Sequence, residues 1–98
     1  METTIEGLEV HTLTVHQDNR GWFKESWSGQ KLTPKQHNVS FNARRGATRG
    51  MHAEPWDKWV SVATGRVFGA WVDMREGSAT FGEKFTCEIG PDTAVFVP

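Results

Sequence analysis

Apolar residues recur at every second position in short runs along this chain, and no stretch holds a convincing amphipathic helical period. "LEVHTLTV" (8–15) places Leu8, Val10 and Thr12 on one side, the period-two pattern of a half-buried strand. "KFTCEI" (84–89) does the same with Phe85, Cys87 and Ile89. Ten Gly and four Pro punctuate the runs, as in chains built of strands and turns. The pattern predicts an all-β fold.

The other runs follow from the same reading. "QDNRG" (17–21) is a turn by composition, and "WFKESW" (22–27) reads as a strand. "SGQKLTPKQ" (28–36) is a loop. "HNVSFNA" (37–43) and "ATRGMH" (47–52) read as two strands across an Arg-Arg-Gly bend, and 58–74 as a hairpin turning near Thr64-Gly65. Residues 75–83 form a turn region, "GPD" (90–92) turns the chain again, and "TAVFVP" (93–98) is a last apolar strand. Roughly eight short strands at this spacing suit a sandwich or barrel. A bare apolar strand at the close of the sequence, if it lay at a sheet edge, would be a pairing liability. The expectation is that these 98 residues belong to a longer polypeptide; cover by another chain is the alternative.

Bulk properties narrow the function. Ninety-eight residues allow one small domain. A net charge of −1 lacks the broad positive field of non-specific nucleic-acid binding, so any anion site is local. The single cysteine, Cys87, rules out an internal disulfide and a Cys-based zinc site. The start "METTIEGLEV" has neither the basic nor the apolar part of a secretion signal. No apolar run reaches the ~20 residues of a membrane helix. A reducing cytoplasm is the expected compartment.

The chemistry-bearing residues crowd into "ARRGATRGMHAEPWDKWVSV" (43–62), with Arg44, Arg45, Arg49, His52 and Lys58. On a strand over 48–52, Gly50 and His52 share a face, and the glycine leaves room for a ligand beside the imidazole. Lys58 follows a loop and can fold back beside His52, although an edge-strand lysine is the plainer reading. In "DNRGWFKE" (18–25), a strand from Arg20 puts Arg20, Trp22 and Lys24 on one face. Phe23 and Glu25 then lie on the other, as a stacking platform and an acceptor; core packing and a solvated carboxylate are the alternatives. Arg44 and Arg45 are expected to be solvated. His11, His16, His37 and His52 lack metal-ligand spacing, and no nucleophile elbow or phosphate loop is present. No metal or cofactor is expected.

Taken in order, "DNRGWFKE", "QHNVSFN", "RRGATRGMH", "KWVSVATGRVFGAWVDMREGSATFGE" and "AVFVP" resemble the dTDP-4-dehydrorhamnose 3,5-epimerases. These are cupin-type, jelly-roll β proteins of dTDP-rhamnose biosynthesis. The resemblance implies that residues 1–98 are the N-terminal portion of one such domain. It implies removal and return of protons at C5 and C3 of a dTDP-linked 4-keto-6-deoxy sugar through an enolate, without a metal. It casts His52 as the base, with Arg49 and Lys58 as cations near the sugar. Arg20 would meet the diphosphate, Phe23 and Glu25 the thymine, and Gln36 and Asn38 would line the nucleotide site. It also implies a homodimer.

Some positions depart from the family pattern. The interval from His52 to Lys58 is short, and Glu54 stands where a glutamine is usual. The stretch from Asn38 to Arg49 is longer by a residue. The family continues into Gly-x-x-His-Gly-Phe and beyond, a part that supplies its proton-donating Tyr and the Asp that orients the base; no Tyr occurs here. The 98 residues alone are therefore expected to be inactive. The rival expectations are a non-catalytic nucleotide-sugar-binding module, and a structural cupin module within a larger fused protein.

Overall fold

The computed structural model describes residues 1–98 and contains strands but no helix. In chain order the strands are β1 (Glu9–Thr12), β2 (His16–Asp18), β3 (Gly21–Phe23), β4 (Lys58–Ser61), β5 (Val67–Val72), β6 (Lys84–Ile89) and β7 (Thr93–Val97). They form a three-stranded sheet ordered β1-β7-β4 and two hairpins, β2-β3 and β5-β6. All pairings are antiparallel.

β7 lies in the middle of its sheet, not at an edge. Its continuous apolar run fits that place, because Ala94 and Val95 are fully buried and Phe96 nearly so. Register sets Val10, Val95 and Val60 side by side in one row, and Glu9, Phe96 and Trp59 in the next. Successive residues of a strand face opposite ways, so these rows mark two faces. The first packs on Ile5, Leu8, Val62 and Ile89, and Trp71, Phe85 and Cys87 of the β5-β6 hairpin close the other side of that core. Each fully buried aliphatic side chain contributes about 1.5–3 kcal/mol.

Several expected elements differ. β4 and β5 do not form a hairpin: β4 pairs with β7 and β5 with β6. The strand expected over 22–27 stops at Phe23. The Lys24 ammonium leaves the ladder to donate to the carbonyls of Val62 (2.5 Å) and Pro91 (2.6 Å), and burial holds its pKa below the usual lysine value. The turn of 17–21 is tighter than expected, with Asp18 paired to Gly21 and Asn19-Arg20 as its loop. The Asp18 carboxylate accepts from the Arg20 backbone N–H at 2.8 Å, a side-chain bond that favours turns. Runs 37–43 and 47–52 are not strands. Their backbones pair with no strand, and every residue from 33 to 57 is exposed. An unpaired strand gains none of the cross-strand contacts that stabilise a sheet.

A polar clamp joins the N-terminal segment to the β5-β6 hairpin. The buried Asp73 carboxylate accepts from Arg75 Nε (3.0 Å) and Nη2 (3.0 Å), Ser78 Oγ (2.6 Å) and Thr80 Oγ1 (2.7 Å). Arg75 Nη2 also donates to the Glu6 carbonyl, and the Glu6 N–H donates to Thr80 Oγ1. The Arg75 guanidinium, followed by the two hydroxyls, holds the Asp73 pKa far below the ordinary carboxylate range.

The chain exposes more surface than its size requires. A folded monomer of 11.0 kDa has about 5,600 Å² of accessible surface; this chain has 7826 Å². Its radius of gyration is 14.4 Å, against about 12.6 Å for a compact domain of this length. Segment 33–57 is exposed throughout, with Val39, Phe41, Met51 and Trp56 all more than half exposed.

Candidate functional site

The candidate residues lie on three pieces of chain. Arg20 occupies the β2-β3 loop, where Nη2 donates to Asp18 at 2.7 Å and 86% of its side chain remains exposed. That pairing also lowers the Asp18 pKa. Phe23 is 66% exposed, with its ring centroid 6.4 Å from that of His16. Glu25 is exposed. Trp22 and Lys24 do share a face, the ammonium standing 5.7 Å from the indole centroid.

Gln36, Asn38, Arg44, Arg45, Arg49 and His52 lie on segment 33–57 and are exposed. Arg49 Nε donates to Asn42 Oδ1 at 2.7 Å and Nη2 to the Phe41 carbonyl at 3.0 Å. These bonds shape an open groove of about 400 Å³ lined by Phe41 to Arg44 and Ala47 to Arg49. His52 lines neither that groove nor the cavity beside Val15 and Trp22. Its ring is exposed on irregular chain, because no strand over 48–52 exists to aim it inward.

Lys58 is better placed. As the first residue of β4 it pairs with Val97 and by alternation shares the inner face with Val60 and Val62. Its ammonium meets Glu54 Oε1 at 3.1 Å, with 35% and 31% of the two side chains exposed. No hydrogen bond or ion pair joins Arg20, Phe23 or Glu25 to this segment. No group of three or more His, Cys, Asp or Glu side chains lies close enough to hold a metal ion.

Sequence reasoning missed a polar cluster on the outer face of the three-stranded sheet. Glu9 Oε2 accepts from Lys31 Nζ at 2.9 Å, and Glu9 Oε1 lies 2.9 Å from His11 Nε2. The Lys31 bond is the main cause of a lowered Glu9 pKa. The His11 ring packs on Trp59 at 4.9 Å, and the indole N–H of Trp59 donates to the Ser26 carbonyl at 2.7 Å. Residues 26–31 are thereby fastened over this face. The one signal in the sequence was the Glu9-x-His11 alternation on β1, which puts both side chains on the polar side. The Asp73 clamp was legible only as the spacing Asp73, Arg75, Ser78, Thr80, with no hint of burial.

Strands without helices, in sheets that do not close on themselves, define an open all-β domain, and its likeness to a solved RmlC structure makes that domain cupin-like. The family model described as dTDP-4-dehydrorhamnose 3,5-epimerase matches residues 2–98, and the chain belongs to that family. Among curated relatives, a protein named as an RmlC homolog from Streptococcus pyogenes serotype M6 is 46% identical over 107 residues, covering 96% of this chain and 53% of the relative. A dTDP-4-dehydrorhamnose 3,5-epimerase from Neisseria gonorrhoeae is 41% identical over 95 residues, covering 85% of this chain and 28% of the relative. Among solved structures, RmlC from Streptococcus suis, determined in complex with dTDP-D-xylose, superposes with a TM-score of 0.85 at 44% identity. That match covers 97% of this chain and 55% of the other.

The chain thus spans about half of the two streptococcal proteins and less of the third.

Proposed function

We propose that this chain supplies the N-terminal portion of a nucleotide-sugar epimerase that acts on dTDP-4-dehydro-6-deoxyglucose in dTDP-rhamnose biosynthesis. The observation that carries the reading is the family match across residues 2–98, which includes His52, Arg49 and Lys58. Both C5 and C3 of the sugar lie α to the C4 ketone. In the proposed reaction, His52 takes the proton from carbon, and the electron pair moves onto the ketone oxygen as an enolate. A proton then returns from the opposite face with inverted configuration. Lys58, on the inner face of β4, stabilises the enolate oxygen with Arg49; one such donor is worth ~2.7–4 kcal/mol. Arg20 holds the diphosphate through the paired donors of its fork, Phe23 and Glu25 take the thymine, and Gln36 and Asn38 line the nucleotide site. The reaction requires no metal.

The exposed His52 and the lack of any Tyr support a site completed by protein surface outside these residues. The 98 residues are inactive by themselves under this reading. A homodimer in the cytoplasm is part of the proposal. The surplus of about 2,200 Å² per chain, or about 4,400 Å² for two copies, falls in the range of obligate interfaces, and no helix is long and apolar enough to cross a membrane. The test is deuterium incorporation at C5 and C3 of the keto-sugar nucleotide, followed by NMR, with the chain alone and with the other half of the domain supplied. Exchange only in the second case is expected. Undiminished exchange after His52→Ala sinks the base assignment.

The same two observations favour a second reading, a module that holds a nucleotide sugar without turnover, alone or as a structural part of a larger fused protein. Titration with dTDP separates them: binding without C5 exchange in the completed protein supports the module.

A further inference from the structure

We propose that Glu54 is a positioning residue that holds the segment bearing His52 against the strand bearing Lys58, an assignment whose catalytic meaning rests on the epimerase reading. Segment 33–57 is exposed throughout, and its other side-chain bonds are internal: Arg49 to Asn42 and Phe41, and Thr48 to Gly46. The ion pair of Glu54 with Lys58 at 3.1 Å is the polar link from this segment to a strand of the sheet. About two-thirds of each side chain is covered, where the neighbouring residues are open.

The spacing gives the link its effect. His52 is two residues before Glu54, so their Cα atoms lie within about 7 Å whatever the backbone does. Lys58 is fixed in β4 by its pairing with Val97. Glu54 therefore converts a flexible connection into a bounded distance between imidazole and ammonium. The Lys58 ammonium has three N–H donors, so it can keep Glu54 and still present a donor to an oxyanion. The carboxylate orients the cation and need not leave when substrate binds.

The test is made on the 98-residue chain without sugar. Backbone ¹⁵N order parameters over 50–57 and the His52 ring resonances are compared in wild type, Glu54→Gln, Lys58→Met and the exchanged pair Glu54→Lys with Lys58→Glu. Loss of the ion pair is expected to lower the order parameters toward those of flexible chain and to move the His52 signals in both single variants, and the exchanged pair is expected to restore both. Unchanged order parameters and ring signals in the single variants overturn the proposal, as does an exchanged pair that behaves like them. In the completed protein the exchanged pair is expected to recover placement but not C5 proton exchange, because its cation stands at 54. A wild-type protein that exchanges no C5 proton counts against the epimerase reading and leaves the placement result standing.

Discussion

The indole of Trp71 lies directly over Gly69: a Cβ built on Gly69 would fall 2.4 Å from Trp71 Cη2 and 2.8 Å from Cζ3. A large rigid ring packed against the core cannot yield that space cheaply. Gly69→Ala is expected to cost about 1–3 kcal/mol, the usual range for overpacking, read as a lower midpoint in urea. A variant as stable as wild type would mean that Trp71 has room to move.

Cys87 reports on the same region, since it pairs with Gly69 across the β5-β6 ladder. Burial pushes its thiol pKa up, and the thiolate is the reactive form. Labelling with a thiol reagent at neutral pH is expected to be slow in wild type and faster in Gly69→Ala. Equal rates in the two proteins would show that displacing Trp71 does not open the hairpin.

The Asp73 clamp predicts acid sensitivity of a definite sign. Its folded pKa lies below the ordinary value of 3.8, so its contribution is complete above that value and is lost as pH falls toward the folded one. Stability is expected to decline below about pH 4 in wild type. Asp73→Asn is expected to be less stable at pH 7 and to show a shallower decline. Thermal unfolding at pH 7, 5, 4 and 3 checks both.

Ile89 is 2% exposed and joins the two halves of the core. Ile89→Val is expected to cost about 0.5–1.5 kcal/mol and Ile89→Ala about 2–5 kcal/mol. Small domains have roughly 5–15 kcal/mol in all, so the alanine variant approaches unfolding. Denaturant titration of the pair measures the ratio.

In the completed protein, His52→Ala is expected to lower C5 proton exchange by about 10²–10⁴-fold, the usual contribution of a general base. dTDP affinity is expected to stay near wild type, because His52 is assigned to the sugar and Arg20 to the diphosphate. Exchange rate and dTDP titration, measured on one preparation, separate the two effects.

The last third of the chain was legible because its pattern and its pairing agree. Phe85, Cys87 and Ile89 alternate, and their strand has β5 beside it. Residues 37–43 alternate too, with Val39 and Phe41 in step, yet no strand lies beside them. Alternation states which side of a strand is apolar; it cannot state that a neighbour exists. The same gap separates the residue types of the site from their geometry. His52 and Lys58 could be named from the sequence. The ion pair of Lys58 with Glu54 could not, because it depends on where an irregular loop returns to the sheet. The unbroken apolar run of β7 suits a strand covered on both faces, and the sheet places it at the centre.

β1 and β4 share no ladder with each other, and each finds its strand partner only in β7, the last of the seven to be synthesised. During translation the first-made strand of this sheet therefore has only its bridge to residues 1–2 until β7 emerges. Closing that sheet joins the two ends of a long loop, the wiring that makes a fold assemble slowly.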